Sequence, residues 1–585
     1  MFQQDTQAVA DSLTLSALCA LIPLAVLFIM LGGLKIRAWI SGLVSLAVAM
    51  VVAVLFFSMP VGQTVSAAIN GGLFGFFPIL WIVVNAVWIY NLTVASGHFD
   101  VLRRSFEKVS PDQRIQAIII AFCFGALLEA LAGFGTPVAI SVVMLMSLGF
   151  RPIKAATVAL VANTAPVAFG ALAIPIVTLA PIASGVSDDP RLSDANALDT
   201  LGSMVGRQTP ILALVVPLIL VMIVDGRRGV RQAWLPAIVC GAVFAVAQFV
   251  TSNYISVQLT DIVASLLAAG SLVLLVRVWQ PAEVLTAEPV EQEVGARTTS
   301  TVGGTATPTG EGTATPAGGS TPTTTGGRGD GRSRPSADDR SEVLRAYAPY
   351  IVIIAIFSIT NIPAVVDFLG KEPWTYIFEW PGLDITNPAG DPVVTEFKFN
   401  WLPAAGTLLI IAGLISMVIL RVSLAKAFET YVATYVELKS AIITVMAVLA
   451  LAYVMNLSGQ TGALGSWLAE AGSVFALLSP ILGWIGVAVT GSDTSSNSLF
   501  GALQVQAATK AHLDPVLMAA SNSSGGVLGK MVSPQNLAIA AAAVAMSGRE
   551  GEIFRKVIGW SLLLLVLMCV IVGLQATPVL DWMVP

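Results

Sequence analysis

Residues 127–140 read LLEALAGFGTPVAI and place an acidic side chain, two glycines and a proline inside an otherwise apolar run. Glycine lets the backbone leave the helical conformation, and proline removes a hydrogen-bond donor from the helical ladder. Within a membrane, broken backbone is tolerated only where it is buried in protein or lines a cavity. The stretch therefore predicts a membrane-spanning helix that is interrupted next to Glu129.

The composition of the whole chain is that of a membrane protein. Of its 585 residues, 56% are hydrophobic and only 11% are charged, whereas a typical soluble domain is about 25% charged. This excludes an ordinary soluble enzyme, and the net charge of −5 offers no basic surface for nucleic acid. The four cysteines are far apart and form no Cys/His cluster, so we expect no metal site, no disulfide framework and no cofactor.

The apolar runs predict the number of spans. About 14 of them approach the roughly 20 residues that a membrane-spanning helix needs. Two further runs, 135–150 and 494–509, are shorter and are predicted to be re-entrant or half-helices. The run 515–547 is too long and too rich in glycine and serine to be one helix. We therefore expect an all-α polytopic integral membrane protein, with about 14 transmembrane helices plus two short or re-entrant ones.

Lysine and arginine are distributed unequally between alternate loops. If Lys35 and Arg37 are cytoplasmic, 24 of the 30 basic residues lie in cytoplasmic loops, and the opposite orientation leaves five there. The positive-inside rule then places both termini outside. Residues 367–400, on the predicted outer side, carry tryptophans and several acids and are expected to form an ordered cap.

A low-complexity segment divides the chain. Within 298–327, 25 of 30 residues are Thr, Gly, Ser or Pro, a composition that cannot bury enough apolar surface to offset its ordering entropy. We therefore divide the protein into an N-terminal transmembrane half, 1–282, a disordered Thr/Gly-rich cytoplasmic linker, 283–345, and a C-terminal transmembrane half, 346–585.

Three motifs recur in the same order in the two halves, at offsets of 365, 358 and 359 residues. By the basic-residue count the matching segments cross the membrane in opposite directions. We therefore expect inverted-topology repeats with broken helices at mid-membrane. The alternative is that glycine- and serine-rich patches merely allow close helix packing. The matched pairs are Asn91 to Gly97 with Asn456 to Gly462, 133–136 with 491–494, and Asn163 to Pro175 with Asn522 to Pro534.

Small and polar residues concentrate at the predicted breaks. Half-helix N-termini there present free amides and a positive dipole end, which favour an anionic substrate. Together with nearby hydroxyls and amides, they predict a site for a small carboxylate rather than for a lipid. The residues predicted to bind this substrate are Phe134, Gly135, Thr136, Asn163, Thr164, Ser492, Thr494, Ser495, Ser496, Asn497, Asn522, Ser523 and Lys530.

Three ionisable residues are predicted at membrane depth. Glu129 and Asp493 lie at equivalent breaks of the two halves, and Lys530 follows Gly529. A charge near mid-membrane costs roughly 2.5–3.5 kcal/mol on insertion scales, so such residues are usually functional. We predict that Glu129 or Asp493 carries a coupled proton and that Lys530 faces the substrate carboxylate. The alternative is a structural Lys–carboxylate pair that holds the two halves together.

At these motifs the sequence resembles the L-lactate permease family, over nearly the whole chain except roughly 283–341. The resemblance implies a secondary transporter that imports L-lactate across the plasma membrane by proton symport, with glycolate and related 2-hydroxy monocarboxylates as further substrates. Its partners would be L-lactate, the proton and membrane lipid. The motifs are LLEALAGFGTPVAI, NTAPVAFGALAIP at 163–175, MVGRQTP at 204–210, VDGRRGVRQAW at 224–234, TGSDTSSNSLFGALQ at 490–504 and NSSGGVLGKMVSPQNLAIA at 522–540.

The alternatives to this function are sodium coupling, a passive channel and a membrane-embedded enzyme. Sodium coupling is the main alternative, because the oxygen-rich break around Asp493 could host a cation. A passive anion channel fits poorly with inverted repeats and with ionisable residues at the breaks. A membrane-embedded enzyme lacks support, since the chain has only two histidines and no metal-ligand cluster. The choices between proton and sodium and between lactate and glycolate, and the oligomeric state, stay open at this point.

Overall fold

The computed structural model describes residues 2–286 and 339–585, apart from residues 35, 132, 134, 361, 389, 391, 394, 547 and 548. Most of the predicted linker 283–345 lies outside the described residues, as does Phe134, which was predicted to bind the substrate. Within the described part of the chain, ten helices are long and apolar enough to cross a membrane, and three further apolar helices are shorter. The protein is therefore an all-α multi-pass membrane protein, as predicted.

Twelve α-helices are described before the linker. Helix α11 is a single 58-residue element that bends where Asp225, Gly226 and Ala233 leave the helical backbone conformation. The bounds are α1 Leu13–Phe28, α2 Ala38–Leu55, α3 Val61–Phe74, α4 Trp81–Ala95, α5 His98–Glu107, α6 Gln113–Gln116, α7 Gly125–Glu129, α8 Thr136–Ser147, α9 Pro152–Ala162, α10 Gly170–Ser184, α11 Ala197–Tyr254 and α12 Thr260–Val278. The π-helical segments Ile29–Gly33, Gly75–Leu80 and Ala117–Phe124 continue or join neighbouring helices.

Ten further helices are described after the linker. The bounds are α13 Arg340–Thr360, α14 Pro363–Leu369, α15 Ala405–Ile419, α16 Leu424–Leu457, α17 Gln460–Ala469, α18 Phe475–Thr490, α19 Asp493–Lys510, α20 Pro515–Gly529, α21 Pro534–Ala543 and α22 Glu550–Gln575. The predicted short run 494–509 is thus part of an 18-residue helix, α19, whereas 135–150 contains only the 12-residue α8.

The described residues include four short strands, which lie outside the helical body. They are β1 Phe2–Gln3, β2 Tyr376–Glu379, β3 Ile385–Thr386 and β4 Glu396–Phe399. Strand β1 pairs in parallel with β3, and β2 pairs antiparallel with β4. The N-terminal residues therefore contact the segment 367–400, which the loop charges place on the same side of the membrane.

Other loops that were predicted on one side of the membrane also meet. The buried Arg114 donates to the backbone oxygen of Glu283 at 2.5 Å, and both residues were predicted to be cytoplasmic. Arg114 also bonds Asp225 at 3.1 Å, which lies at the cytoplasmic end of a predicted span. Arg191 bonds Asp514 at 2.7 Å, and both were predicted outside. These contacts agree with the predicted grouping of the loops, while the side that faces the cytoplasm stays a prediction from the basic-residue count.

The run 515–547 is broken, as expected, and the break lies near the end of the predicted segment Asn522 to Pro534. Helix α20 continues through Asn522 and ends at Gly529, and the 3₁₀ turn Lys530–Val532 separates it from α21. The segment stays helical because it packs closely on α18: a Cβ at Gly525 would lie 2.3 Å from the backbone oxygen of Pro480. Close packing therefore accounts for part of this glycine- and serine-rich motif.

The internal repeat of the sequence has a structural counterpart in helices α7–α11 and α18–α22. Helix α10 packs on α19 while its counterpart α21 packs on α8, and α11 packs on α20 while α22 packs on α9. Such reciprocal contacts are those that an internal two-fold relation produces. Opposite orientation of the two units in a membrane stays a prediction.

Left-handed glycines mark equivalent breaks in the two units. Gly135 begins α8 with φ +88°, and Gly491 precedes α19 with φ +77°. Further upstream, Gly97 begins α5 and its structural counterpart Gly459 begins α17, with φ +76° and +87°. The sequence match had paired Gly97 with Gly462, which instead lies inside α17.

Candidate functional site

The helix break predicted from residues 127–140 is present. Helix α7 ends at Glu129, and α8 begins after Gly135, where a Cβ would lie 2.2 Å from Cδ1 of Ile539. Glycine is needed at this position both for its positive φ and for the close approach of α21. The break thus sets the Glu129 carboxyl between the two repeat units.

Glu129 forms a buried ion pair with Lys530 at the break of the other unit. Lys530 Nζ donates to Glu129 Oε1 at 2.6 Å, and the side chains are 9% and 3% exposed. Glu129 Oε2 has no hydrogen-bond partner among the described residues. Charges buried away from water are stable only when they are paired. A ligand that binds one residue of the pair therefore leaves the other with an unpaired charge that must be neutralised.

Asp493 lies in the first turn of α19, at the second break. Its Oδ2 accepts a hydrogen bond from the Ser523 hydroxyl at 2.6 Å, and its Oδ1 has no partner in the described part of the chain. Ser492 caps the same helix by accepting from the backbone N–H of Ser495 at 3.2 Å. The break therefore combines an acid, two hydroxyls and a helix N-terminus.

A chain of amides joins the units on the other side of this break. Asn522 Nδ2 donates to Asn497 Oδ1 at 2.9 Å, and Asn497 Nδ2 donates to the backbone oxygen of Pro175 at 3.0 Å. Gln504 Nε2 completes the chain by donating to Asn522 Oδ1 at 3.1 Å. These amides are engaged with one another, and their arrangement ties α19 to α10.

A small cavity of about 60 Å³ lies between the two breaks. Of the predicted site residues it is lined by Glu129, Ser492, Asp493, Thr494 and Lys530. It is also lined by Gln535, in the first turn of α21, which the sequence analysis missed although it follows Pro534 directly.

The other predicted site residues lie elsewhere. Thr136 and Ser495 line a larger, neighbouring cavity. Asn163 ends α9, and both polar atoms of its buried amide are without a hydrogen-bond partner among the described residues. Those lining neither cavity are Gly135, Asn163, Thr164, Ser496, Asn497, Asn522 and Ser523.

The larger cavity forms a vestibule of about 1070 Å³. It shares Gly133, Ser492 and Gln535 with the small cavity, and its far part is lined by Arg37 and Glu437, which the loop charges place in the cytoplasm. The vestibule therefore connects the small cavity at the ion pair to the predicted cytoplasmic side, passing beside the packed helices α8 and α21.

A third cavity, of about 270 Å³, lies on the other side and is lined by Asp194 and Lys398. Helices α10 and α19 separate it from the ion pair. They pack closely because Gly501 has no side chain: a Cβ there would lie 2.5 Å from Cδ1 of Leu179. Access to the small cavity is thus blocked at the α10–α19 contact and open beside α8 and α21.

Asp261 is a second buried acid that the sequence analysis did not single out. It lies in the first turn of α12 and is 0% exposed. The sequence itself contains the signal, since Asp261 is an acid within the largely apolar run 258–278.

Comparison with known proteins places these features in a family. The family model described as L-lactate permease matches residues 16–579. The chain is 39% identical to "Glycolate permease GlcA" of Escherichia coli (strain K12), with 96% of each chain covered, and 37% identical to "L-lactate permease" of Bacillus subtilis (strain 168), with 100% of each covered.

Among solved structures, the Alcanivorax borkumensis YdaH transporter, whose crystal structure is described as having an unusual topology, matches 84% of each chain with 13% identity and a TM-score of 0.42. The match of the family model and the identities over nearly full length agree with the resemblance of the sequence motifs. The chain therefore belongs to the L-lactate permease family.

Proposed function

We propose that the protein is a secondary active transporter that imports L-lactate across the plasma membrane by proton symport, with glycolate and other 2-hydroxy monocarboxylates as further substrates. The observation that carries this proposal is the Lys530–Glu129 ion pair, which lines a small cavity between the breaks of both repeat units. Relatives named for L-lactate and glycolate supply the class of substrate.

The cavity offers the groups that a small hydroxy acid requires. Lys530 is the cation that would receive the substrate carboxylate. The N-terminus of α19 contributes a positive dipole end beside it, and the hydroxyls of Ser492 and Thr494 can bond the carboxylate or the 2-hydroxyl group.

Proton coupling follows from the pairing of Lys530. When Lys530 turns to the substrate carboxylate, Glu129 is left buried without its cation. A proton on Glu129 then restores neutrality, so substrate and proton load together. Asp493 is the second candidate for this role, because its Oδ1 lacks a partner among the described residues.

The reciprocal helix contacts supply a route for alternating access. The present conformation is open beside α8 and α21 and closed by α10 against α19. Because the α8–α21 pair and the α10–α19 pair are equivalent in the repeat, the opposite state would close the space beside the first pair and open the space beside the second. With both termini outside and the linker 283–345 in the cytoplasm, as the loop charges predict, the present conformation faces inward.

Uptake of radiolabelled L-lactate into proteoliposomes tests the proposal, with inward proton and sodium gradients imposed separately. We expect accumulation above equilibrium with the proton gradient alone. Replacing Glu129 with Gln should abolish this accumulation while lactate–lactate exchange persists. Equilibration without accumulation under either gradient would favour an anion channel and overturn the symport. Unlabelled glycolate should compete with labelled lactate, whereas acetate, which lacks the 2-hydroxyl group, should compete less well.

Sodium coupling is the second candidate, favoured by Asp493 Oδ1, which has no partner among the described residues, on a carboxyl whose Oδ2 accepts from Ser523. It predicts that accumulation requires the sodium gradient. It also predicts that Asp493→Asn weakens the dependence on sodium, whereas in the proton symporter sodium has no effect.

A further inference from the structure

Asp261 is a buried acid to which the proposed function gives no role. None of its surface is exposed, its Oδ2 has no partner among the described residues, and its Oδ1 lies 3.5 Å from Nε2 of Gln248. An ionised carboxyl in such surroundings is costly, so an acid at this depth needs a functional reason.

The residue that contacts Asp261 also contacts a helix break. Gln248 Nε2 lies 3.4 Å from the backbone oxygen of Ala165, which follows α9 at the break of the first unit. Gln248 Oε1 accepts from Thr209 Oγ1 at 3.3 Å, so the amide is oriented from two sides. A polar path thus runs from Thr209 through Gln248 to Asp261 inside an apolar bundle.

Asp261 also lies close to the ion pair. Helix α12 packs against α7, which ends at Glu129, and the charges of Glu129 and Lys530 act on Asp261. The protonation of each of these two acids therefore depends on the charge of the other.

The remaining helices packed on α12 bring no other cation to Asp261. The residues of α10 and of the segment Ala117–Phe124 include no Asp, Glu, Lys, Arg or His. On α11, Arg207 bonds Asn253 and the backbone oxygen of Met583. The other charged residues of α11 and α12 lie at helix ends or at the bend of α11; they are Asp199, Asp225, Arg227, Arg228, Arg231 and Arg277.

On its other side, Asp261 adjoins a loop that was predicted outside. Thr260 Oγ1 donates to the backbone oxygen of Ser256 at 3.2 Å, and Ser256 Oγ donates to Gln258 at 2.9 Å. Asp261 thus lies between this loop and Glu129, whereas the open vestibule approaches Glu129 from the opposite direction.

We propose that Asp261 is a proton-relay residue on the outer side of the site, oriented by Gln248; this rests on the proposed proton symport. Asp261 takes a proton from the outer side and holds it as a neutral acid. When Lys530 leaves Glu129 for the substrate carboxylate, the proton passes from Asp261 to Glu129. The proton then leaves with the substrate through the vestibule, the Lys530–Glu129 pair re-forms, and Asp261 is reloaded from outside.

The test compares wild type, Asp261→Asn and Thr260→Val in proteoliposomes. The Asn variant keeps the shape and the contact with Gln248 but cannot carry a proton. Thr260 is a matched control, since it is equally buried and its hydroxyl donates to the backbone oxygen of Ser256. Three quantities are measured: lactate–lactate exchange, accumulation driven by an imposed proton gradient, and the pH change that accompanies lactate entry.

For Asp261→Asn we expect exchange within about twofold of wild type, accumulation reduced to equilibrium, and loss of the pH change, whereas Thr260→Val should keep all three. Wild-type accumulation and pH change in Asp261→Asn would overturn the relay but leave the symport intact. Failure of wild type itself to accumulate lactate under the proton gradient would overturn both. If Asp261→Asn lacks exchange as well, Asp261→Glu decides: recovery of accumulation supports the relay, and inactivity overturns it.

Discussion

Lys530 Nζ and Glu129 Oε1 lie 2.6 Å apart although 401 residues separate them along the chain. Each residue lies at a helix break of a different repeat unit, and both side chains are buried. The pair therefore joins the two units, as expected of a structural Lys–carboxylate pair. Because it also lines the small cavity, the same contact can serve binding and coupling.

The coupling between these two charges can be measured. Lys530→Met and Glu129→Gln each leave one polar or charged group without its partner, and breaking a buried pair typically costs about 3–5 kcal/mol. We expect each single variant to unfold at a lower temperature in detergent than wild type, and the double variant to recover part of the loss. Additive losses would show that the pair contributes little to stability.

The break at Gly135 can be tested against a second left-handed glycine. Gly135→Ala and Gly97→Ala both force a side chain into a positive φ, at roughly 1–2 kcal/mol. Only at Gly135 does the new Cβ meet a neighbour, Cδ1 of Ile539 at 2.2 Å, whereas Gly97 has open space. We expect thermal unfolding to show a larger loss for Gly135→Ala.

The excess loss should shrink in the double variant Gly135→Ala/Ile539→Val, which lacks the clashing Cδ1 atom. Equal losses for Gly135→Ala and Gly97→Ala would mean that the approach of α21 to this break is unimportant.

The contact between α10 and α19 depends on Gly501. Gly501→Ala places a Cβ 2.5 Å from Leu179 Cδ1, and overpacking of this kind costs about 1–3 kcal/mol. We expect a lower unfolding temperature and a slower initial rate of lactate uptake. Gly559→Ala is the control, because nothing lies within 4 Å of that position. Unchanged uptake and stability in Gly501→Ala would argue against a close α10–α19 contact in the working protein.

Acid should weaken a contact in the loop between α10 and α11. Hydrogen bonds from Arg191 hold the pKa of Asp189 below its usual value of 3.8. Because the folded state favours the ionised carboxyl, this contact stabilises the protein above about pH 4 and is lost as the pH falls through the lowered pKa. Unfolding temperatures measured between about pH 3 and 6 should therefore fall more steeply at the acidic end for wild type than for Asp189→Asn. The neighbouring Asp188→Asn should behave like wild type.

Much of the architecture was predictable from local properties of the sequence. The apolar runs, the Gly-Phe-Gly break after Glu129 and the recurrence of motifs between the halves each depend on residues close together in the chain. Such local signals are strong in a membrane protein, because lipid cannot form hydrogen bonds with backbone groups that lack a partner within the protein. Glu129 and Asp493 were singled out because they lie at equivalent breaks, and Lys530 because it is a charge at membrane depth beside Gly529.

Tertiary structure alone decided how those residues are used. The pairing of Lys530 with Glu129, the engagement of Asn497 with Asn522 and the position of Asp261 depend on contacts between helices distant in sequence. Composition and spacing cannot predict such contacts, because a glycine- or serine-rich segment serves close packing or binding depending on what lies against it. Residues 522–529 show this, since their helix stays intact against α18 and the break falls at Lys530 instead.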